Sequence, residues 1–391
     1  MRILLFILAL IWAALLQGQT CGTTGNTAPF SGYTSPEVRT PVILPVVVHI
    51  VYASDKENIS DAQVLSQIDI LNRDFSGNTP GQYRISNTFR DRVAAPGWQF
   101  CLAAADPEGN PSNGIVRVNT SEKAIANPAT LERGLRKIKH SALGGSDAWD
   151  TDRFINIWVG STGEDVVIGD ATFPGTAKDG EDGVMIDYRV FGGLGTSLEF
   201  DPFHFGKTLT HELGHYFNLA HLSGNGGCNE DDGVEDTPMQ GKEYFECPTG
   251  PVSSCGSEDM VQNFLSLASD PCLLFFTKGQ VERLEDALYN YRSDLLDQGT
   301  FCYTPGLPDT GLDDQISIIS SPSTRQVIIQ LKGYTDEPVN IKLYDLSGKL
   351  VLDNSYSGFL YYPISTFDYP NGIYLLEVRI GNEKKAVKVV I

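Results

Sequence analysis

One short stretch of the sequence has the residue types and spacing for metal-dependent chemistry. It runs from His211 to His221 and reads HELGHYFNLAH. Residues four apart lie on the same face of a helix, so His211 and His215 can bind one metal ion. Glu212 stands beside them, where its carboxylate can take a proton from a water molecule activated by that ion. Because imidazole nitrogens suit zinc, we predict a zinc site with Glu212 as general base.

The third imidazole of this stretch, His221, reaches the ion only if the helix ends after His215 and the chain turns back. Such a turn needs a residue at positive φ, where the long zinc motif has glycine. This chain has Asn218, and asparagine is the non-glycine residue that best tolerates that conformation. Three of the six histidines fall within these eleven residues, which favours a metal site over a chance match. The other three lack ligand spacing, and we interpret them as structural: His49, His140 and His204.

Length, charge and the first residues limit the classes of protein to consider. The 391 residues suffice for two or more domains, and a net charge of −20 argues against a nucleic-acid partner. Residues 1–18 combine Arg2, an apolar run too short to span a membrane comfortably, and Gly18 for cleavage, which predicts a signal peptide. The mature protein is therefore expected outside the cytoplasm, secreted and either released or attached to the cell surface.

Residues 19–42 are rich in threonine, glycine, serine and proline, which predicts an N-terminal tail or pro-segment. They contain Cys21, and a thiolate is a good zinc ligand. A mobile cysteine ahead of a zinc protease domain can occupy the open metal position and hold the enzyme latent. The alternative is an ordinary cysteine in a tail.

Residues 43–302 are predicted to form an α/β catalytic domain, because strand and helix patterns alternate before the histidine stretch. Strands are expected at 46–51, 98–103, 154–159, 168–173 and 183–188, and helices at 60–75, from about 207 to 217, and from 277 onward. The strand 168–173 is expected to hold an extended substrate by main-chain pairing, with Gly169 and Ala171 in contact.

A loop-rich region, 224–272, follows the histidines and carries four of the seven cysteines. Within it, residues 229–237 hold five acidic side chains that repel one another unless a cation lies among them. Oxygen ligands select calcium, and the alternative is a solvated acidic loop. We predict four calcium ligands: Asp231, Asp232, Asp236 and Thr237.

The C-terminal part has an all-β pattern. Residues 303–314 are rich in proline and glycine and are predicted to be a linker. From 315 to 391, short apolar runs alternate with turn signals such as Ser347-Gly348, which predicts a β-sandwich of about seven strands.

On these residues, the chain resembles the pappalysin family of metzincin zinc proteases, in particular bacterial members of the ulilysin and cytophagalysin type. The resemblance spans roughly residues 45–302. Besides the zinc stretch it rests on five motifs: LPVVVH at 44–49, FCLA at 100–103, NIWV at 156–159, DTP at 236–238 and FTKGQ at 276–280.

The resemblance implies a mixed five-stranded sheet with helices and a loop-rich C-terminal subdomain. It also implies zinc ligands at His211, His215 and His221, Glu212 as general base, and calcium in the region 232–237. By cysteine order it implies bridges between Cys228 and Cys255 and between Cys247 and Cys272. Cys21-Gly22-Thr23 looks like the family's cysteine switch, whereas only parity pairs Cys101 with Cys302.

Two departures from the family pattern concern the turn beneath the zinc. Leu265 stands where metzincins have methionine, a swap of similar volume that packing tolerates. Leu267 stands where this family has a tyrosine near the scissile carbonyl, and loss of one oxyanion donor typically costs about 10²–10³ in rate. We therefore expect a slower enzyme rather than an inactive one.

The segment after that turn, 266–272, lines the pocket for the residue following the scissile bond in metzincins. Asp270 is its only charge. A carboxylate at the base of an apolar pocket favours arginine, with lysine weaker, so cleavage on the amino side of arginine is expected. The alternatives are that Asp270 only turns the chain before Pro271 or binds calcium.

The C-terminal segment resembles the sorting domain of proteins exported by the type IX secretion system. The matching residues are IKLYDLSGK at 341–349, NGIY at 371–374 and the basic, apolar end 384–391. A carbohydrate-binding or adhesive sandwich is the competing interpretation.

The sequence thus predicts a secreted zinc endopeptidase with protein or peptide substrates and the type IX machinery as a partner. The alternative is a surface-displayed binding protein whose metalloprotease domain is weakly active or inactive. Leu267 favours that alternative, and the intact Glu212 argues against it.

Overall fold

The structure is a computed structural model. It describes residues 20–32, 42–164, 167–193, 195–224, 227–296, 312–321, 326–331, 335, 337–356 and 361–391. The predicted signal peptide, most of the predicted linker, and Cys302 lie outside the described residues.

Four helices and eighteen strands occur in the described part, besides short 3₁₀ turns. The helices are α1 (Asp61–Phe75), α2 (Lys207–Tyr216), α3 (Lys278–Tyr291) and α4 (Leu312–Gln315). The first eleven strands are β1 (Thr20–Cys21), β2 (Ile43–Tyr52), β3 (Val93–Ala94), β4 (Gln99–Leu102), β5 (Ile115–Asn119), β6 (Leu131–Glu132), β7 (Leu135–Arg136), β8 (Ile155–Gly160), β9 (Val167–Ala171), β10 (Val184–Asp187) and β11 (Phe276–Thr277). The others are β12 (Ile316–Ser321), β13 (Gln326–Leu331), β14 (Val339–Tyr344), β15 (Leu350–Tyr356), β16 (Tyr361–Ser365), β17 (Ile373–Ile380) and β18 (Glu383–Val390).

A mixed sheet forms the centre of the N-terminal part, in the order β1-β9-β10-β8-β2-β4, with β5 also paired to β2. β4 and β5 pair with successive halves of β2, so they share one position. Apart from the short β1, the sheet therefore has five strand positions, as predicted. β9 runs antiparallel to β10 and forms the edge to which β1 adds in parallel. The predicted strands are confirmed within a few residues at their ends, whereas β5 was not predicted.

The long strand β2 is buried on both faces, which explains its continuous apolar sequence. Leu44, Val46, Val48 and Ile50 face the core cluster that contains α1 and α2. Val47 and Val51 belong to separate clusters that include Phe154 and Trp158. The two helices thus cover one face of the sheet, and the connecting segments between β5 and β8 cover the other.

α1 begins as predicted, with Ser60 accepting a hydrogen bond from the Gln63 amide as N-cap. It ends at Phe75, which is fully buried against Trp98, Phe100 and Phe276. This aromatic cluster joins α1, the segment containing β4, and the start of α3. α3 starts with the predicted capping box of Thr277 and Gln280.

The C-terminal part is a sandwich of two antiparallel sheets with strand orders β12-β13-β16 and β15-β14-β17-β18. These seven strands match the number predicted. Their inward residues, such as Val327, Ile341 and Val378, form a separate core. Among the described residues, no helix has the length and apolarity needed to cross a membrane.

Candidate active site

The three histidines of the predicted motif meet in one buried cluster. The Nε2 atoms of His211 and His215 are 3.0 Å apart, and each lies 3.1 Å from Nε2 of His221. Zinc–nitrogen bonds of 2.0–2.1 Å at tetrahedral angles separate two ligand nitrogens by about 3.3 Å. Within the described part of the chain, the only group of three or more potential metal-binding side chains consists of these histidines and Cys21, with ligand atoms within 4.8 Å of one another.

The turn that brings His221 back is the predicted one. α2 ends at Tyr216, and Asn218 has a φ of 73°. The Leu219 amide then donates to the Gly214 carbonyl at 2.9 Å and closes the turn. Asparagine therefore fills the place of the motif glycine without loss of the left-handed conformation.

Two carbonyl groups fix the orientation of the imidazoles. Nδ1 of His211 lies 2.7 Å from the Phe264 carbonyl oxygen, and Nδ1 of His215 lies 2.7 Å from that of Leu219. Since a carbonyl only accepts, both rings carry their proton on Nδ1 and present a lone pair on Nε2. Burial lowers the pKa of His211 to about 4 and that of His221 to about 3, which keeps them neutral. The donor set fits a zinc ion.

Glu212 is fully buried beside this cluster. Its Oε2 accepts a hydrogen bond from the Thr23 hydroxyl at 2.7 Å, whereas Oε1 has no hydrogen-bond partner among the described residues. Burial raises the pKa of Glu212 to about 8. A divalent cation in the cluster would favour the ionised carboxylate and so oppose that shift.

Strand β9 comes unusually close to Glu212. A Cβ atom on Gly169 would lie 2.5 Å from Glu212 Oε1, a distance that no real contact tolerates. Glycine is therefore required here so that the strand backbone can approach the carboxylate.

The N-terminal segment occupies the edge of β9 that was predicted to bind substrate. The Gly22 amide donates to the Gly169 carbonyl at 2.8 Å, and the Ala171 amide donates to the Thr23 hydroxyl at 2.8 Å. This places the Cys21 sulfur with the histidines. Burial and the negative charge of Glu212 raise the pKa of the Cys21 thiol, whereas a bound metal ion would lower it.

The turn beneath the histidines is held by Asn263, a side chain that the sequence did not single out. The side chain of Asn263 accepts a hydrogen bond from the Leu265 backbone amide at 2.9 Å. It also exchanges two hydrogen bonds with the side-chain amide of Gln280. Leu265 is buried, and a Cβ on Gly214 of α2 would lie 3.0 Å from it. Leucine thus packs directly beneath the active-site helix.

Asp270 has a second role that the sequence did not reveal. It is buried, and its Oδ2 accepts hydrogen bonds from the amides of Phe205 (2.9 Å) and Lys207 (3.2 Å). These amides belong to the N-terminus of α2, so Asp270 caps the active-site helix. It also lines, with Leu267 and other residues, a cavity that contains His211 and Glu212. Burial raises its pKa to about 7.

The predicted calcium ligands are only partly brought together. Asp232 Oδ1 accepts hydrogen bonds from the Thr237 hydroxyl (2.6 Å) and the Val234 amide (3.1 Å). Its Oδ2 is buried without a hydrogen-bond partner among the described residues. Asp236 instead accepts hydrogen bonds from Thr277 and Gly279 at the start of α3, and Asp231 accepts one from the Gly233 amide.

Both predicted disulfides are present. Cys228–Cys255 and Cys247–Cys272 have Cα–Cα distances of 5.5 Å and 5.6 Å, within the usual range. Cys21 is a free cysteine, as its predicted role requires. The pairing considered for Cys101 involves Cys302 and lies outside the described residues.

Solved structures of Tannerella forsythia mirolysin resemble this chain. Mature mirolysin in complex with a cleaved peptide is 37% identical, with a TM-score of 0.61 over 66% of this chain and 97% of that one. A promirolysin mutant is 36% identical, with a TM-score of 0.61 over 67% and 85% of the two chains. The family model described as pregnancy-associated plasma protein-A, which defines the pappalysin peptidases, matches residues 141–289. The chain belongs to the pappalysin family.

Curated relatives agree with this membership. The extracellular metalloprotease of Arthroderma gypseum is 28% identical over 277 residues, which cover 68% of this chain and 78% of the relative. That of Arthroderma otae is 26% identical over 75% and 99% of the two chains. A secretion-system C-terminal sorting domain matches residues 318–391. The pappalysin domain and the sorting domain together make this protein a secreted metalloendopeptidase of the metzincin class.

The close approach of β9 to Glu212 predicts that Gly169→Ala disables the enzyme without unfolding it. The added methyl group must displace either the strand or the carboxylate, and a shift of about 1 Å at such a site costs about 10²-fold in kcat/KM. Peptide cleavage and zinc content would be measured together. Gly250→Ala is the matched control, because its Cβ would meet no atom within 4 Å. Near-wild-type cleavage by Gly169→Ala would contradict the expected constraint.

Proposed function

We propose that this metalloendopeptidase hydrolyses peptide bonds with Glu212 as general base and His211, His215 and His221 as the ligands of one catalytic zinc ion. The observation that carries the proposal is the meeting of three neutral Nε2 atoms beside a buried carboxylate oxygen without a hydrogen-bond partner among the described residues. When bound, zinc would lower the pKa of a coordinated water to about 7 and polarise the scissile carbonyl.

In this mechanism, the protein's own groups orient the histidines, hold the substrate and transfer the proton. The Phe264 and Leu219 carbonyls hold His211 and His215 in the ligating orientation. The free edge of β9 pairs with the substrate backbone and keeps it extended through the Gly169 carbonyl and the Ala171 amide. Glu212 takes the proton of the attacking water on Oε1 and delivers it to the leaving amine.

Metal content and cleavage, measured on the same samples, test these roles. His215→Ala should lose the zinc, which the wild type carries at about one per chain. Glu212→Gln should keep the zinc and lose about 10²–10⁴-fold in cleavage rate, because the amide cannot take a proton. Zinc at wild-type level in His215→Ala would exclude that ligand, and near-wild-type cleavage by Glu212→Gln would exclude the base.

Leu267 is the residue that favours the alternative function, a binding protein with a weakly active or inactive protease domain. It lines the cavity beside the histidines and supplies no hydroxyl group there. A protein freed of residues 19–42 that binds zinc and cleaves no peptide, with or without chelator, would favour that alternative. Slow cleavage that a chelator abolishes would favour the peptidase.

We further propose that Asp270 selects arginine, with lysine weaker, immediately after the scissile bond. Asp270 lines the cavity beside Glu212 together with the apolar Ile168, Leu267 and Leu273. Its Oδ2 is held by the two amides of α2, which fixes the carboxylate in place. A rigid carboxylate in an apolar cavity forms strong charge-assisted bonds to a guanidinium group.

Asp270→Asn is the sharpest test of this specificity, because asparagine can still accept the amide hydrogen bonds and cap α2. The preference for arginine over an uncharged residue should fall by at least about tenfold, since hydrogen bonds to charged groups contribute about 1.5–3 kcal/mol. Peptide-library cleavage by both proteins measures it. A preference for basic residues that persists in Asp270→Asn would exclude the pocket assignment.

We also propose that residues 19–42 keep the enzyme latent. The position of Cys21 among the histidines supports this role, since a sulfur there closes the fourth ligand position of a tetrahedral metal. Thr23 adds to it, because its hydroxyl binds Glu212 and the Ala171 amide at once. While the segment is docked, the metal position, the base and the substrate-binding edge are all occupied.

We propose a calcium ion at Asp232, which is one of the four ligands expected from the sequence. Of the four expected ligands, Asp232 has a buried oxygen without a hydrogen-bond partner in the described residues, and burial raises its pKa to about 6. A nearby cation would compensate that buried carboxylate.

Calcium at about 100 times its dissociation constant should stabilise the wild type by about 2.7 kcal/mol. The thermal midpoint should therefore rise by several degrees in the wild type and in the control Glu235→Gln, whose side chain is exposed. It should not rise in Asp232→Asn. An unchanged midpoint of the wild type across the titration would contradict the site.

We propose that residues 1–18 are a signal peptide, 43–302 the catalytic domain, 303–314 a linker and 315–391 the sorting domain. The matched segments 141–289 and 318–391 fall within the second and fourth of these ranges, which supports the division. The sorting domain would engage the type IX secretion machinery, and the catalytic domain protein or peptide substrates.

A further inference from the structure

Beyond Cys21 and Thr23, the N-terminal segment makes a second set of contacts on the far side of the histidine cluster. The Ala28 amide donates to Asn218 Oδ1 at 2.7 Å, and Asn218 Nδ2 donates to the Ala28 carbonyl at 3.0 Å. One side-chain amide thus pairs with both backbone groups of a single residue, as a neighbouring strand would. Asn218 is also the residue at φ 73° that turns the chain between two of the histidines.

α3 continues this contact. Tyr291 donates its hydroxyl to the Pro29 carbonyl at 2.7 Å. The Ser31 amide donates to Asp286 at 3.4 Å, and the Ser31 hydroxyl also bonds to that carboxylate. Asn290 donates to both Asp286 (2.9 Å) and the Ser31 hydroxyl (2.8 Å). Asp286 and Asn290 lie four residues apart and therefore share one face of the helix.

Most of these bonds go to main-chain atoms, so they place little demand on side-chain identity. The Ala28 methyl accepts no bond, and Phe30 remains 48% exposed. The requirement is a backbone N–H at the positions of Ala28 and Ser31, which excludes only proline there. A half-turn of the Asn218 amide exchanges its donor and acceptor, so the same side chain can hold a peptide of either chain direction.

These contacts lie opposite the Asp270 cavity. Asp270 binds the amides at the N-terminus of α2, whereas Asn218 follows its C-terminus. Ten helical residues, about 15 Å in length, separate the two, and the histidines lie between them. An extended peptide that places one end in the Asp270 cavity and crosses the histidines therefore continues toward Asn218.

We propose that Asn218, Asp286, Asn290 and Tyr291 form a main-chain binding track for extended peptide substrates, which residues 28–31 occupy before the enzyme is active. The inference rests on the peptidase function proposed above and adds a subsite to it. It also assigns Asn218 a role beyond tolerance of positive φ, since glycine would make the same turn but has no side-chain amide.

Binding of a labelled peptide tests the track without reference to catalysis. For this test, a cleavage site for a sequence-specific protease is introduced into the full chain between residues 33 and 41. The folded protein is then cut at that site and separated from its N-terminal segment. The probe spans residues 20–32 with Cys21→Ala, and a shorter probe ends at residue 26. Fluorescence anisotropy gives the dissociation constants.

Loss of the two Asn218 bonds should weaken the long probe about tenfold. Asn218→Gly should therefore bind the long probe about tenfold more weakly at unchanged zinc content. The dissociation constants of the two probes should then differ less for this variant than for the wild type. Asn218→Asp keeps the hydrogen-bond acceptor but loses the donor, so its affinity for the long probe should also be lower than that of the wild type. Glu282→Ala, an exposed change on α3, should bind like the wild type. Equal affinity of wild type and Asn218→Gly for the long probe would overturn the track.

Substrate length gives the second measurement. Substrates extended on the amino side of the scissile bond should gain at least about fivefold in kcat/KM, mainly through KM, and Asn218→Gly should lose most of that gain. N-methylation of the one amide that pairs with Asn218 should have the same effect in the wild type. A gain of equal size in Asn218→Gly would overturn the use of the track by substrates. Absence of cleavage in the wild type, with probe binding as expected, would instead reject the peptidase function.

Discussion

The active site depends on how abruptly one helix ends. His211 and His215 follow from helical spacing alone, but His221 joins them only because the chain reverses at Asn218, two residues beyond the end of α2. A further helical turn would carry His221 away from the other two. The reversal is closed by hydrogen bonds from Phe217, Asn218 and Leu219 to carbonyls of the last turn. The carbonyl of Leu219, just past the reversal, then orients His215, so the turn that brings the three histidines together also sets a tautomer.

The rest of the domain keeps this helix in place from both ends. Asp270 caps its N-terminus through two amides, and Lys207 in its first turn pairs with Asp74 of α1 at 2.5 Å. At the other end, the guanidinium of Arg292 lies 3.4 Å from the ring centre of Tyr216 and bonds to the Tyr216 carbonyl at 3.0 Å. Beneath it, Leu265 packs against Gly214, and the Phe264 carbonyl reaches His211. Because α2 is buried along its whole length, these contacts fix the imidazoles through packing.

Much of the site was predictable because its signals are local. The spacing of His211, Glu212 and His215, the tolerance of Asn218 for positive φ, and the capping box of α3 each depend on a few neighbouring residues. The contacts that were missed join distant parts of the chain. Thr23 binds Glu212 across 189 positions, and Lys207 binds Asp74 across 133. In the acidic loop, a local signal suggested too much: five acidic residues among nine suggested one cation site. Asp236 instead accepts a hydrogen bond from the start of α3, 43 positions away. Local charge density cannot reveal that a carboxylate already has backbone donors elsewhere.

The edge of β9 explains why the proposed latency and the proposed substrate binding would exclude each other. An edge strand offers one row of unpaired amides and carbonyls, and a single peptide can use it at a time. In the structure that peptide is the N-terminal segment, paired in parallel through Gly22 and Thr23. The segment contacts Glu212 through the Thr23 hydroxyl. The backbone groups that would align a substrate thus hold a segment that brings a thiol to the histidines and a hydroxyl to Glu212. In the proposed mechanism, substrate and segment would therefore compete for one strand edge.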